Sequence, residues 1–214
     1  MNVNQFSDVL RCMNTVIAEH KDELSELDAA IGDGDHGANM ARGFSLIVQD
    51  LDDKEYAGIG ELLSAEGMVL LSNVGGASGP LYGTLLIQMG APLKGCADAD
   101  GALLADAFHA GVLAVHNLGK AEIGDKTMYD VLAPVDDLLA GWRGEGEGRH
   151  ASAAEVIALA EEKCESTRDM LAKKGRASYL KERSIGHLDP GARSCSLLIE
   201  VMCQQLEKKE AAHA

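Results

Sequence analysis

Residues 30–40 read AIGDGDHGANM, and the fold class turns on how that stretch is understood. Gly32, Gly34 and Gly37 have the G-x-G-x-x-G spacing of a dinucleotide-binding loop, which requires a preceding strand and a βαβ unit. The residues before it, KDELSELDAA (21–30), are mostly helix formers, and no strand–helix alternation follows. Asp33 and Asp35 also stand in the gaps, where two carboxylates would repel a pyrophosphate. An EF-hand loop beginning at Asp33 fails as well, because its fifth and twelfth positions hold Gly37 and Phe44 instead of a polar ligand and a glutamate. The stretch is a glycine-rich turn between helices, and it concentrates negative charge.

The rest of the chain follows a helical period. Apolar residues recur at three- and four-residue steps over 4–27, 38–51, 61–74, 80–89, 100–118, 128–139, 152–173 and 190–208. Ser152 with Glu155 forms a capping-box pair, and Asp189 before Pro190 reads as an N-cap with proline at the first helical position. Alternating strands are absent and aromatics are 4% of the chain. The expectation is an all-α fold, an antiparallel bundle of eight helices in one domain spanning 1–214. GWRGEGEGRH (141–150) reads as a solvated connection.

Composition removes several classes of function. A net charge of −15 opposes nucleic-acid binding, which needs basic patches, and favours metal ions or a basic partner patch. No apolar run approaches the length of a membrane span, and the first residues lack the basic and apolar segments of a signal peptide. Five scattered cysteines without a C-x-x-C pair fit reduced thiols and a cytoplasmic location.

Four loops carry the chemistry. In the first, Asp28, Asp33 and Asp35 offer hard oxygen ligands that suit Mg²⁺, Mn²⁺ or Ca²⁺; on the residues alone, Asp33 and Asp35 also fit plain turn and N-cap roles. The second, GGASG (75–79), presents backbone N–H groups and the Ser78 hydroxyl at a helix start, suited to phosphate, or else merely lets two helices pack closely. The third, GKAEIGDKTMYD (119–130), is no P-loop: Asp125 stands where the lysine belongs, and Lys126 and Thr127 read as caps of the next helix. The fourth, 174–194, holds Arg176, which can pair with a phosphate, and His187. No nucleophile triad or dyad is evident. Gathered at one end of a bundle, these loops would form a nucleotide site in which the aspartates bind metal and the metal binds phosphates.

The strings AIGDGDHGANMARGF (30–44), VGGASGPLYGTLL (74–86), GDKTMYDVLAP (124–134) and KGRASYLKERSIGHLDPGARS (174–194) occur in this order. Together they resemble the signature of the nucleotide-binding L subunits of dihydroxyacetone kinase, over nearly the whole chain. The resemblance implies an eight-helix antiparallel barrel with an ADP–Mg²⁺ site at one end. It implies two Mg²⁺ ions on Asp28, Asp33 and Asp35, and nucleotide contacts from His36, Gly37, Ala38, Asn39, Ala77 and Ser78. Gly119 and Met128 would line the adenine and ribose end, Arg176 would reach the nucleotide, and Asp189, Pro190 and Gly191 would close the pocket. A separate K subunit would hold the dihydroxyacetone. A phosphohistidine carrier of the phosphoenolpyruvate-dependent system would rephosphorylate bound ADP. Alternatives under the same resemblance are an ATP-dependent kinase for another short ketose such as erythrulose, and a nucleotide sensor that reports to a regulatory protein.

Overall fold

The computed structural model describes residues 1–145 and 149–213, with side chains to Lys209. Nine α-helices occur among the described residues: α1 (Val3–Glu19), α2 (Lys21–Ile31), α3 (His36–Asp53), α4 (Ile59–Asn73), α5 (Ser78–Gly90), α6 (Gly101–Gly119), α7 (Tyr129–Leu138), α8 (Ala153–Ser166) and α9 (Pro190–His213). Short 3₁₀ segments follow α7 (Leu139–Arg143) and α8 (Thr167–Asp169), and a third covers Arg176–Ser184. There is no strand among the described residues, only one isolated bridge, between Asn2 and Asp98.

Eight of the helices close a ring. Helix α1 packs on α3, each helix from α3 to α8 packs on the next, α8 on α9, and α9 returns to α1. The up-and-down order puts the ends of α1, α4, α6 and α8 and the starts of α3, α5, α7 and α9 at one end of the barrel. Phe6, Leu10, Phe44, Leu85, Val135 and Leu198 face inward, around an apolar cavity of about 580 Å³.

The expected eight-helix barrel is therefore present, with corrections to its segments. Residues 4–27 are not one helix: the chain breaks at His20 (φ −97°, ψ 10°), and α2 leaves the ring to stand at its end. The excursion is tight, because a Cβ at Gly37 would collide with the Lys21 carbonyl and approach the Ser25 hydroxyl to 2.7 Å. A second correction concerns 152–173, where the α-helix stops at Ser166. The Thr167 hydroxyl donates to the Cys164 carbonyl (2.7 Å) and accepts the Asp189 N–H (3.1 Å), turning the chain toward α9. Residues 146–148 of the expected connection lie outside the described residues. Just before them, Arg143 is held by Asp136 (2.7 Å) and the Trp142 indole donates to the Ala151 carbonyl (3.1 Å), so these two residues are anchored, while Gly144, Glu145, Arg149 and His150 are exposed.

Local capping follows the sequence. Ser152 and Glu155 form the capping box of α8, and the Asp189 carboxylate accepts the Ala192 N–H (2.7 Å) at the start of α9. Between α4 and α5 the separation is set by glycine: a Cβ at Gly67 would lie 2.7 Å from the Gly83 carbonyl, and one at Gly60 2.6 Å from the Gly90 carbonyl. Close backbone approach thus runs along the α4–α5 pair, from its middle to the end away from the connecting turn.

Away from that end, α3 and α4 share a buried carboxylate. Glu66 is fully buried, its Oε1 lies 3.1 Å from the Tyr56 hydroxyl, and its Oε2 has no partner among the described residues. Tyr56 gives its one hydrogen to Asp50, so a proton on Glu66 completes the trio. Desolvation, more than the nearby Asp50 charge, pushes Glu66 up to about 7 from an ordinary 4.5. The folded state thus binds more protons than the unfolded chain between those values, and stability falls as pH rises through that window. Urea midpoints at pH 5 and pH 8 should drop with pH less steeply in Glu66→Gln than in the unmodified protein. Parallel curves would show that Glu66 is ionised when folded.

Candidate active site

At the end where α3, α5, α7 and α9 begin, a cleft of about 430 Å³ opens to solvent. The first residues of all four helices, His36, Ser78, Tyr129 and Pro190, line it. Each helix start carries about half a positive charge, so the cleft favours an anion before any side chain is counted.

The aspartates face this field. One carboxylate oxygen from each of Asp28, Asp33 and Asp35 lies within 4.8 Å of the others. Asp35 occupies the N-cap position of α3, yet its side chain caps nothing. Asp28 does that work from α2: its Oδ2 accepts the Asp35 N–H at 2.9 Å and the His36 N–H at 3.2 Å. The carboxylates of Asp33 and Asp35 are thereby left to the cleft, which weakens the reading of these two residues as turn and cap only. Gly34 turns the chain between them at φ +77°, a conformation that side-chain-bearing residues rarely adopt. An all-oxygen donor set of this kind fits a hard divalent cation. The Arg176 guanidinium, largely exposed, pairs with Asp33.

Across the cleft runs the Gly75–Gly76–Ala77–Ser78 turn. Its tightness depends on Gly79, where a Cβ would strike the Val74 carbonyl. Ser78 Oγ lies 3.0 Å from His36 Nδ1, and His36 Nε2 lies 2.9 Å from Ser194 Oγ. Burial holds the His36 ring below its usual basicity, against the opposing pull of Asp28 and Asp35, and so favours the neutral imidazole. Leu118, Gly119, Met128 and Tyr129 form an apolar wall farther along. Asp189, Pro190 and Gly191 form another side. Desolvation pushes the Asp189 carboxyl up to about 7.

Of the residues singled out in the sequence, Asp28, Asp33, Asp35, His36, Ala77, Ser78, Gly119, Met128, Arg176, Asp189, Pro190 and Gly191 all line this cleft. Gly37, Ala38 and Asn39 do not line it; they form the first turn of α3 behind it, and the Asn39 amide oxygen accepts a bond from Arg42 (2.9 Å). His187 is exposed and off the cleft wall, and its carbonyl accepts from Lys126.

Comparison with known proteins shows the family. Residues 30–204 match the model of the DAK2 domain. The chain is 44% identical over 189 residues to the ADP-binding subunit DhaL of a PEP-dependent dihydroxyacetone kinase of Listeria innocua, covering 88% of this chain and 89% of that one. It is 42% identical over 192 residues to the corresponding Escherichia coli subunit, covering 90% and 91%. The dihydroxyacetone kinase of C. freundii, solved in complex with AMP-PNP and Mg²⁺, superposes with a TM-score of 0.72 at 22% identity. The match covers 92% of this chain and 33% of that one, and it shows the shared fold.

Lys126 is a cleft residue that the sequence reading misplaced as a helix cap. Its residue is 1% exposed and has a left-handed backbone (φ +63°), and its ammonium donates to the carbonyls of Thr167 (2.6 Å) and His187. Thr127, in contrast, does support the start of α7, its hydroxyl accepting the Tyr129 N–H (3.1 Å). The buried lysine ties the 119–130 loop to the segment leading into α9. Lys126→Met would strand these buried acceptors and should cost about 2 kcal/mol or more. Urea unfolding measures this, and an unchanged midpoint would mean the carbonyls find water instead.

Proposed function

Because the chain belongs to the DAK2-domain family of dihydroxyacetone kinase ADP-binding subunits, we propose that its cleft binds ADP and ATP with Mg²⁺ for phosphoryl transfer to dihydroxyacetone. The observation that carries this reading is the placement of three clustered carboxylates and the Gly75–Ser78 turn in one cleft, among four helix N-termini. Anionic side chains and an anionic ligand share one cleft only when a cation stands between them.

Asp28, Asp33 and Asp35 would hold two Mg²⁺ ions. Bound there, Mg²⁺ supplies charge neutralisation of the phosphate oxygens, the main electrostatic requirement of phosphoryl transfer. The chain's own groups do the rest. Ser78 and the N–H groups at the start of α5 bind phosphate oxygens. Arg176 moves from Asp33 to the nucleotide. Leu118, Gly119 and Met128 take the base and ribose against an apolar surface, while Asp189, Pro190 and Gly191 close the far side.

We assign no nucleophile or general base to this chain: the hydrogen-bonded Ser78–His36 pair serves phosphate binding in this reading. We assign dihydroxyacetone to a separate K subunit docked at this end, and rephosphorylation of bound ADP to a phosphohistidine carrier fed by phosphoenolpyruvate. The chain is then one ADP-binding domain working in the cytoplasm. No helix among the described residues is long and apolar enough to cross a membrane.

Two outcomes test this. Mg-ADP should raise the melting temperature of the protein, and Asp33→Asn or Asp35→Asn should abolish that rise while leaving the helical circular dichroism unchanged; an undiminished rise would remove these residues from the metal site. The isolated chain with Mg-ATP should not phosphorylate dihydroxyacetone until a K subunit is added. Turnover without one would overturn the division of labour.

A further inference from the structure

His36 is not only a wall of the cleft. It is the middle of a buried hydrogen-bonded chain that joins the starts of three helices. Ser78 of α5 lies at its Nδ1, Ser194 of α9 at its Nε2, and the Tyr82 hydroxyl is 2.8 Å from Ser194 Oγ. The Gly191 carbonyl lies 3.1 Å from Ser194 Oγ and 3.3 Å from the Tyr82 hydroxyl. Tyr82 and Ser194 are buried, and Ser78 is the member of the chain that reaches the solvent side of the cleft.

The ring also faces the Pro190 carbonyl, a further acceptor for its hydrogen. Counting hydrogens among the side chains shows two ways to fill the remaining contacts. In the first, Nε2–H donates to Ser194, Ser194 donates to the Gly191 carbonyl, and Nδ1 accepts the Ser78 hydrogen. Every buried acceptor is then satisfied, but Ser78 has no hydrogen left for a ligand. In the second, Tyr82 donates to Ser194, Ser194 donates to Nε2, and Nδ1–H donates to Ser78, whose own hydrogen points into the cleft. A phosphate oxygen is an acceptor only, so it can use Ser78 only in the second arrangement.

We propose that Ser194 and Tyr82 are positioning residues for nucleotide phosphate binding, acting through the His36 ring to hold Ser78 as a hydrogen-bond donor. The proposal rests on the reading of the cleft as a nucleotide site. All donors in the second arrangement run toward the ligand, so each bond strengthens the next. The ring carries one hydrogen in both arrangements; only its place changes. Neither Ser194 nor Tyr82 need touch the nucleotide.

The test compares Mg-ADP with adenosine, which has the base and ribose but no phosphate. Ser194→Ala should weaken Mg-ADP about tenfold, the scale of one lost hydrogen bond to a charged group, and leave adenosine affinity unchanged. Ser194→Thr should restore most of the loss, and Tyr82→Phe should give a smaller loss of the same kind. In the unmodified protein loaded with Mg-ADP, ¹⁵N shifts should show the hydrogen of His36 on Nδ1. Equal losses for both ligands would reduce Ser194 to a packing role, and Nε2–H in the loaded protein would also overturn the proposal. Should Ser194→Ala fail to fold, Tyr82→Phe and the ring shifts decide the matter. Failure of the unmodified protein to bind Mg-ADP would instead remove the nucleotide reading itself, and this proposal with it.

Discussion

The bond between the Asp28 carboxylate and the N–H groups of Asp35 and His36 is the contact on which the cleft depends. A helix start ordinarily takes its cap from the residue just before it. Here the cap comes from seven and eight residues upstream, on a separate helix, and this draws α2 out of the ring and back over the start of α3. The local cap position is thereby relieved of its usual duty. Asp33 and Asp35 can stand together at the mouth of the cleft, which would otherwise cost electrostatic energy without any structural gain.

The barrel offsets that cost through its parity. In an up-and-down ring, alternate helices begin at the same end, so α3, α5, α7 and α9 all direct positive dipole ends at one place. Lys126 adds a full charge beneath the surface, tied to carbonyls rather than to a carboxylate. The aspartates therefore sit within a positive surround, with Arg176 paired to Asp33. On the proposed function both signs are needed: the positive background would draw phosphates, and the carboxylates would hold the ions that accompany them.

Much of this was legible in the sequence, because long amphipathic periods and local capping signals survive folding unchanged. Ser152–Glu155 and Asp189–Pro190 behave in the structure as their spacing suggests. The break at His20 was not legible, since neither glycine nor proline marks it; it answers to the packing of Gly37 against Lys21, which only the fold reveals. Lys126 was misread for a similar reason. A lysine in a polar loop looks solvated, and the carbonyls that bury it come from residues 41 and 61 positions away. The Tyr82–Ser194–His36 chain spans still more sequence and leaves no local pattern at all.

His36 and Ser194 are 158 residues apart, yet they meet within one cleft. The cleft therefore does not exist in any fragment that lacks α9, and it is completed when that last helix docks between α8 and α1. On the proposed function, occupancy of the cleft would report closure of the whole ring, and a bound ligand would protect distant helices from proteolysis as well as near ones.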